Sequence, residues 1–286
     1  MLQRPLGNTG VQLSIIGFGG IVVTDTEQTE ANRYVAEAID RGINYFDVSP
    51  NYGNAQDRLG PALVGKRQAI FLACKTEKRT KALAEAELHQ SLKTLQTDYF
   101  DLYQFHAVKK LTEVETIFGP GGAAEVVFQA QREGKIRFIG FSAHTEEAAL
   151  ALLERFHFTS VLYPVNWASY LNAGFADPVI KKAEQLGTAR LALKALALKD
   201  WPAGLEKSER KYPKCWYEPI DDYGLADLAL RFALSKPITA AIPPGDINLF
   251  RMAVQIAETF RPIDGTELAE LKRRASDIQS LFPKQY

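Results

Sequence analysis

Eight short apolar runs of strand length recur along this chain, and nearly every one is followed by a longer stretch with the spacing of an amphipathic helix. The first run ends at Gly17-Phe18-Gly19-Gly20; the others cover residues 43–46, 69–73, 99–105, 136–141, 160–165, 189–196 and 238–242. The helix-like stretches cover 28–41, 56–64, 80–95, 122–133, 145–156, 177–186, 224–235 and 247–260. Two of them stop at Gly42 and Gly134, residues suited to the left-handed turn that ends a helix.

Strict β–α alternation implies parallel strands covered by helices, the α/β class. Eight units favour closure into a (β/α)8 TIM barrel over an open doubly wound sheet. The 286 residues are close to the ~250 that such a barrel takes. No linker or low-complexity segment divides them, so residues 1–286 read as a single domain. Residues 2–13, turning at Gly7-Asn8-Thr9-Gly10, predict an N-terminal β-hairpin. Residues 266–279 predict an extra C-terminal helix. The irregular stretch 199–223 is long enough for a functional loop, and its Trp201, Trp216 and Tyr217 are candidate pocket walls, as is Trp167.

Lys plus Arg and Asp plus Glu balance at 34 each, which gives no ground to expect nucleic acid or an anionic membrane as partner. Two cysteines, Cys74 and Cys215, write neither a disulfide framework nor a Cys-rich metal site. No run approaches the ~20 apolar residues of a membrane helix, and the N-terminus lacks a signal-peptide layout. The expectation is a cytoplasmic protein; the sequence does not reveal its oligomeric state.

In a barrel of this kind the chemistry sits at the C-terminal ends of the strands. Asp47 ends the second strand, Tyr52 follows in its loop, Lys75 ends the third and His106 the fourth. Consecutive strands are neighbours, so these four side chains can share one mouth. A free phenol, with a pKa near ~10, is a weak acid at neutral pH. A neighbouring ammonium lowers that value, and Asp47 can hold Lys75 charged. His106 can donate to a substrate oxygen. The set suits proton delivery to a carbonyl oxygen while hydride reaches carbon, and the hydride must come from a cofactor. Each residue alone has a plainer reading as a turn former, surface aromatic or solvated end; the four at successive strand ends carry the inference. His89, His144 and His157 read as structural.

Arg4-Pro-Leu-Gly-Asn-Thr-Gly10, Leu13-Ser-Ile-Ile-Gly-Phe-Gly-Gly20, Gly42-Ile-Asn-Tyr-Phe-Asp47 with Tyr52-Gly53, Asp101-Leu-Tyr-Gln-Phe-His106 and Gly134-Lys-Ile-Arg-Phe-Ile-Gly-Phe-Ser142 occur in that order. Together they resemble the aldo-keto reductase family over almost the whole chain. The resemblance implies reduction of a small-molecule aldehyde or ketone with NADPH, less often NADH. Tyr52 would be the general acid, Lys75 and Asp47 would tune it, and His106 would orient the carbonyl. The same resemblance implies a cofactor bed at Gly19, Gly20, Asp47, Ser142, Asn166, Lys194, Pro244, Gly245 and Arg251. Ser142 would meet the carboxamide and Arg251 the 2′-phosphate.

Departures concentrate in the second half. Ala143 and His144 follow the serine where the family usually has Asn, Leu162 stands for its glutamine, and Leu193-Lys194-Ala195 replaces the aromatic that stacks on the nicotinamide. Asp246 would repel a phosphate if it pointed inward, while the helix opening near Ile247 offers backbone N–H groups to one. Some divergent members pair Pro-Val-Asn on strand six with Lys on strand seven, as Pro164-Val165-Asn166 and Lys194 do here. Two alternatives stay open: a non-catalytic scaffold or regulatory subunit that binds nucleotide weakly or not at all, and a Schiff-base aldolase using Lys75 or Lys194.

Overall fold

The computed structural model describes residues 1–282. An N-terminal hairpin, β1 (Gln3–Pro5) and β2 (Gln12–Ser14), precedes the repeat. Strands β3 (Phe18–Gly19), β4 (Tyr45–Asp47), β5 (Phe71–Thr76), β6 (Phe100–Val108), β7 (Ile136–Ala143), β8 (Ser160–Pro164) and β9 (Ala189–Leu193) then follow in order around the sheet. A small antiparallel pair, β10 (Ala197–Lys199) with β11 (Glu218–Pro219), interrupts before the last barrel strand, β12 (Ala240–Ile242). Helices α1 (Gln28–Asp40), α2 (Ala55–Leu63), α3 (Lys81–Thr94), α4 (Leu111–Phe118), α5 (Ala123–Arg132) and α6 (Glu146–Arg155) cover the first half. The second half is covered by α7 (Trp167–Ala173), α8 (Asp177–Gln185), α9 (Tyr223–Leu234), α10 (Ile247–Glu258) and α11 (Gly265–Ala275).

Every neighbouring pair in the eight-stranded sheet is parallel. The ring closes where Gly17 N–H donates to Ala241 O and Ala241 N–H to Ile15 O, at 3.0 and 2.9 Å. The expected barrel is therefore the observed one.

Alternation along each strand divides its residues between two cores. Tyr45, Phe71, Ala73, Leu102, Leu162 and Leu191 form the barrel interior, while Phe46, Leu72, Cys74, Tyr103 and Phe141 pack outward beneath the helices. The hairpin's Leu6 and Leu13, both fully buried, join the interior group. Arg4 anchors the hairpin by donating to the carbonyls of Ile238 and Leu234, each at 2.8 Å. With one end of the interior filled by apolar side chains, polar residues of the same parity are left for the C-terminal end.

Several local expectations change. Helices α4 and α7 were not expected; both are short, eight and seven residues, with too few turns for a clear period. The run 189–196 is not one strand, because Lys194 takes a left-handed backbone (φ 61°) and ends the pairing at Leu193. Strand β6 continues past His106 to Val108 through a bulge at Ala107 (φ 53°). The last helix stops at Ala275 rather than 279. No described helix is long and apolar enough to cross a membrane.

Candidate active site

Parity sets the polar cluster. Asp47 follows Tyr45 by two residues, Lys75 follows Ala73, and Gln104 and His106 follow Leu102, so all four continue the inward-facing rows. Lys75 is fully buried and its ammonium donates to Asp47 Oδ1. Asp47 Oδ2 accepts from Tyr45 Oη at 3.3 Å and from Gln104 Nε2 at 3.1 Å. Lys75 Nζ also lies 3.4 Å from Tyr52 Oη. The Tyr52 and His106 rings meet edge to face, 5.7 Å between centroids.

Burial pushes the Tyr52 phenol above its ordinary value, and Lys75 pulls back only part of that shift. The sequence expectation had the ammonium winning; desolvation of a wholly buried phenol is the larger effect. Tyr52 therefore keeps its proton across the neutral range, as a proton donor must. Burial pulls the Lys75 amine down, but its surroundings, the Asp47 carboxylate foremost, outweigh that and keep it an ammonium. Burial first, then the Lys75 charge, hold His106 well below 6.5, so its imidazole is neutral.

The bulge after His106 is fixed from two sides. Ser142 Oγ accepts the Ala107 N–H at 2.7 Å, and Arg79 donates to the His106 carbonyl at 2.7 Å. Ser49 Oγ faces His106 Nδ1 at 3.0 Å.

These side chains open on a cavity of ≈ 270 Å³. Gly19, Leu162, Leu193 and Ile242 form its apolar wall, and Pro243, Pro244 and Gly245 bring backbone to its edge. Trp216 and Tyr217 close it from the loop between β10 and β11, with Lys194, His144 and Lys214 around the rim. Of the expected pocket aromatics, Trp167 is instead fully buried with Nε1 facing Ala197 O at 3.3 Å, and Trp201 donates to Cys215 O at 2.9 Å.

The residues expected in a cofactor bed divide sharply. Gly19, Asp47, Lys194, Pro244 and Gly245 reach the cavity; Gly20, Ser142, Asn166 and Arg251 do not line it. A Cβ on Gly20 would lie 2.8 Å from Val48 Cγ2, and one on Gly245 2.1 Å from Ile21 Cγ2, so both glycines serve close packing within the protein. Ser142 is fully buried and engaged with the His106 bulge. Asn166 caps α7 through Ser169 N–H and donates to the Lys194 and Ala197 carbonyls. Arg251 is bound to Glu37 on α1. Asp246 caps α10, accepting from Asn248 and Leu249 N–H at 2.8 and 3.2 Å, so those donors are taken.

Tyr45, Gln104, Ser49 and His144 were missed as site residues. Strand parity with Asp47 and His106 would have found the first two; no sequence signal separates Ser49 or His144 from a structural role. Among the described residues no His, Cys, Asp and Glu group could hold a metal.

Fold and site define a (β/α)8 barrel with a Tyr–Lys–Asp–His cluster at its C-terminal mouth. The sequence pattern of the Aldo/keto reductase family matches residues 15–200. The chain is 34% identical over 161 residues to the aldo-keto reductase YhdN of Bacillus subtilis (strain 168), spanning 50% of this chain and 47% of that protein. It thus matches about half the length of that relative. A putative aldo-keto reductase from Pseudomonas aeruginosa superimposes with a TM-score of 0.71 at 26% identity, covering 91% of this chain and 96% of that one. An aldo-keto reductase from Klebsiella pneumoniae, solved in complex with NADPH, gives 0.72 at 20% identity, covering 100% and 98%. The chain belongs to the aldo/keto reductase family.

Proposed function

We propose that the protein is a carbonyl reductase that uses NADPH or NADH to convert a small aldehyde or ketone to its alcohol. The observation that carries this is the relay from Asp47 through the buried Lys75 to Tyr52 Oη, beside His106 on one cavity. The cavity's chemistry fits a nicotinamide. Leu162, Leu193 and Ile242 offer an apolar bed next to the proton donor, and the backbone at Pro243–Gly245 is open at one edge. The NADPH-bound Klebsiella protein of the same fold supports this choice of cofactor.

When bound, the reduced nicotinamide supplies the hydride. Tyr52 gives its proton to the carbonyl oxygen as carbon is reduced, so hydride and proton together make the alcohol. Lys75 stabilises the phenolate left behind, and Asp47, braced by Tyr45 and Gln104, keeps that ammonium in place. His106 is neutral; with Ser49 O–H donating to Nδ1, its Nε2–H is free to donate to the substrate oxygen.

The non-catalytic reading rests on Ser142 and Asn166, whose polar atoms are spent on backbone groups. Fluorescence titration with NADPH and NADH, followed by reduction assays of wild type and Tyr52→Phe, separates the two. Micromolar binding and a loss of about 10²-fold or more in turnover, with cofactor affinity kept, is the expected result. Unchanged turnover in Tyr52→Phe would defeat the mechanism, and no binding of either nucleotide would leave the scaffold reading.

A further inference from the structure

Lys194 is the unusual charge of the cavity. It is only 6% exposed, yet among the described residues its Nζ makes no hydrogen bond or ion pair. It lies 4.9 Å from the Trp216 ring centre and 5.2 Å from that of Phe282. The other cavity lysine, Lys214, is occupied by Val22 O and Thr26 Oγ1 at 3.1 and 3.2 Å. Asp47 is committed to Lys75, while Glu77 is exposed and bonded to Asn51. Among the described residues, Lys194 is therefore a cavity cation without a counter-charge.

Its placement is built. The left-handed backbone at Lys194 is uncommon for a residue with a side chain. It is pinned by Asn166 Nδ2 to the Lys194 carbonyl (3.2 Å) and by Val165 N–H to Leu193 O (2.9 Å). Burial, then the charge of Lys109, pulls the amine down to about 7. An unpaired buried cation and a strained backbone both disfavour the empty protein. An anion at Nζ would offset the first and restore the full ammonium.

We propose that Lys194 is the recognition group for a carboxylate carried by the substrate, which makes the substrate class an aliphatic oxo acid with its reducible carbonyl distant from the carboxylate. This rests on the reductase reading above. A carboxylate suits the subsite better than a phosphate because one ammonium between aromatic rings offers a single charge: among the described residues the only other lysine lining the cavity is Lys214, which is already bonded. Lys194, His144, His106 and Tyr52 line the same cavity, so a carboxylate held at Nζ and a carbonyl at Tyr52 can belong to one molecule. The aromatic walls then cover the aliphatic spacer.

Wild type and Lys194→Met are compared with two aldehydes of similar length, pentanal and 4-oxobutanoate, and NADPH affinity is measured by nicotinamide fluorescence. Wild type is expected to favour 4-oxobutanoate in kcat/KM by roughly tenfold or more, the scale of one charge-assisted hydrogen bond. Lys194→Met should erase that ratio through KM while the NADPH Kd moves by less than about threefold. It should also fold at least as stably, since it removes an unpaired buried charge. A wild type without preference, or a ratio that survives in Lys194→Met, overturns the proposal. A selective loss of NADPH affinity also overturns it, by giving the cation to the cofactor's phosphates. Failure of the reductase reading looks different: wild type binds NADPH and turns over neither aldehyde. Titration with butyrate, followed by tryptophan fluorescence at Trp216, then decides the subsite. Quenching lost in Lys194→Met sustains it, and none in wild type removes it.

Discussion

Arg251 and Glu37 are joined by two parallel hydrogen bonds, Nε to Oε1 at 2.8 Å and Nη2 to Oε2 at 2.7 Å, which tie α10 to α1. The guanidinium that the family resemblance would send to a 2′-phosphate is engaged on the outer helices. Arg251→Met should therefore weaken NADPH and NADH binding by similar factors, within about twofold of each other. A partly exposed pair of this kind is worth ~1 kcal/mol or less, so the melting temperature should drop by only about 2–4 °C. Fluorescence titrations and a thermal melt check both. A tenfold loss confined to NADPH would return Arg251 to the phosphate.

Asp246 offers a second handle on cofactor choice. Its carboxylate caps α10 beside Gly245 at the cavity edge, placing a negative charge where the family resemblance would put the phosphate grip. Asn is an equally good cap, so Asp246→Asn keeps the helix start and removes the charge. The ratio of NADPH to NADH affinity should rise by roughly threefold or more, with less gain at high salt. An unchanged ratio would mean that no phosphate comes near this cap.

The barrel was readable because its signal is repetitive: each strand is short and apolar, and each helix carries its own period. Asp47, Lys75 and His106 were readable for a related reason, since strand ends in a barrel point to one place. What the sequence hid was set by tertiary contacts. Whether Ser142 reaches a cofactor or holds the Ala107 bulge depends on a register between β6 and β7 that no local pattern encodes. Asn166 and Lys194 are 28 residues apart and are joined only because β8 and β9 are neighbours. The direction of the Tyr52 shift likewise depends on burial that composition cannot report.

Ser49 is placed to set the tautomer of His106. A neutral imidazole has one donor and one acceptor nitrogen, and Ser49 Oγ faces Nδ1 at 3.0 Å. Glu77 Oε1 is the next group, 3.6 Å from the same nitrogen, and a carboxylate only accepts. In Ser49→Ala the hydrogen should therefore move to Nδ1, toward Glu77, leaving Nε2 without a donor for the substrate oxygen. Nitrogen NMR of labelled histidine should show Nε2–H in wild type and Nδ1–H in the variant, with kcat/KM down by about tenfold or more. An unaltered tautomer would leave Ser49 a packing role only.

His144 makes acid sensitivity testable. Burial, then the charge of Lys194, lowers its pKa from 6.5 to about 3, and its buried Nδ1 has no partner among the described residues. The native state therefore keeps His144 neutral, while the unfolded chain protonates it below pH 6.5. Its contribution is fully present above 6.5 and is lost as pH falls from there toward about 3, because the unfolded state binds the extra proton. His106 is shifted the same way and adds to the slope. Urea unfolding at pH 7 and pH 4.5 should show a loss of stability in wild type. In His144→Leu that loss should shrink by on the order of 1–3 kcal/mol without vanishing, since His106 remains. If both proteins lose the same stability between these pH values, His144 is not held neutral in the native state.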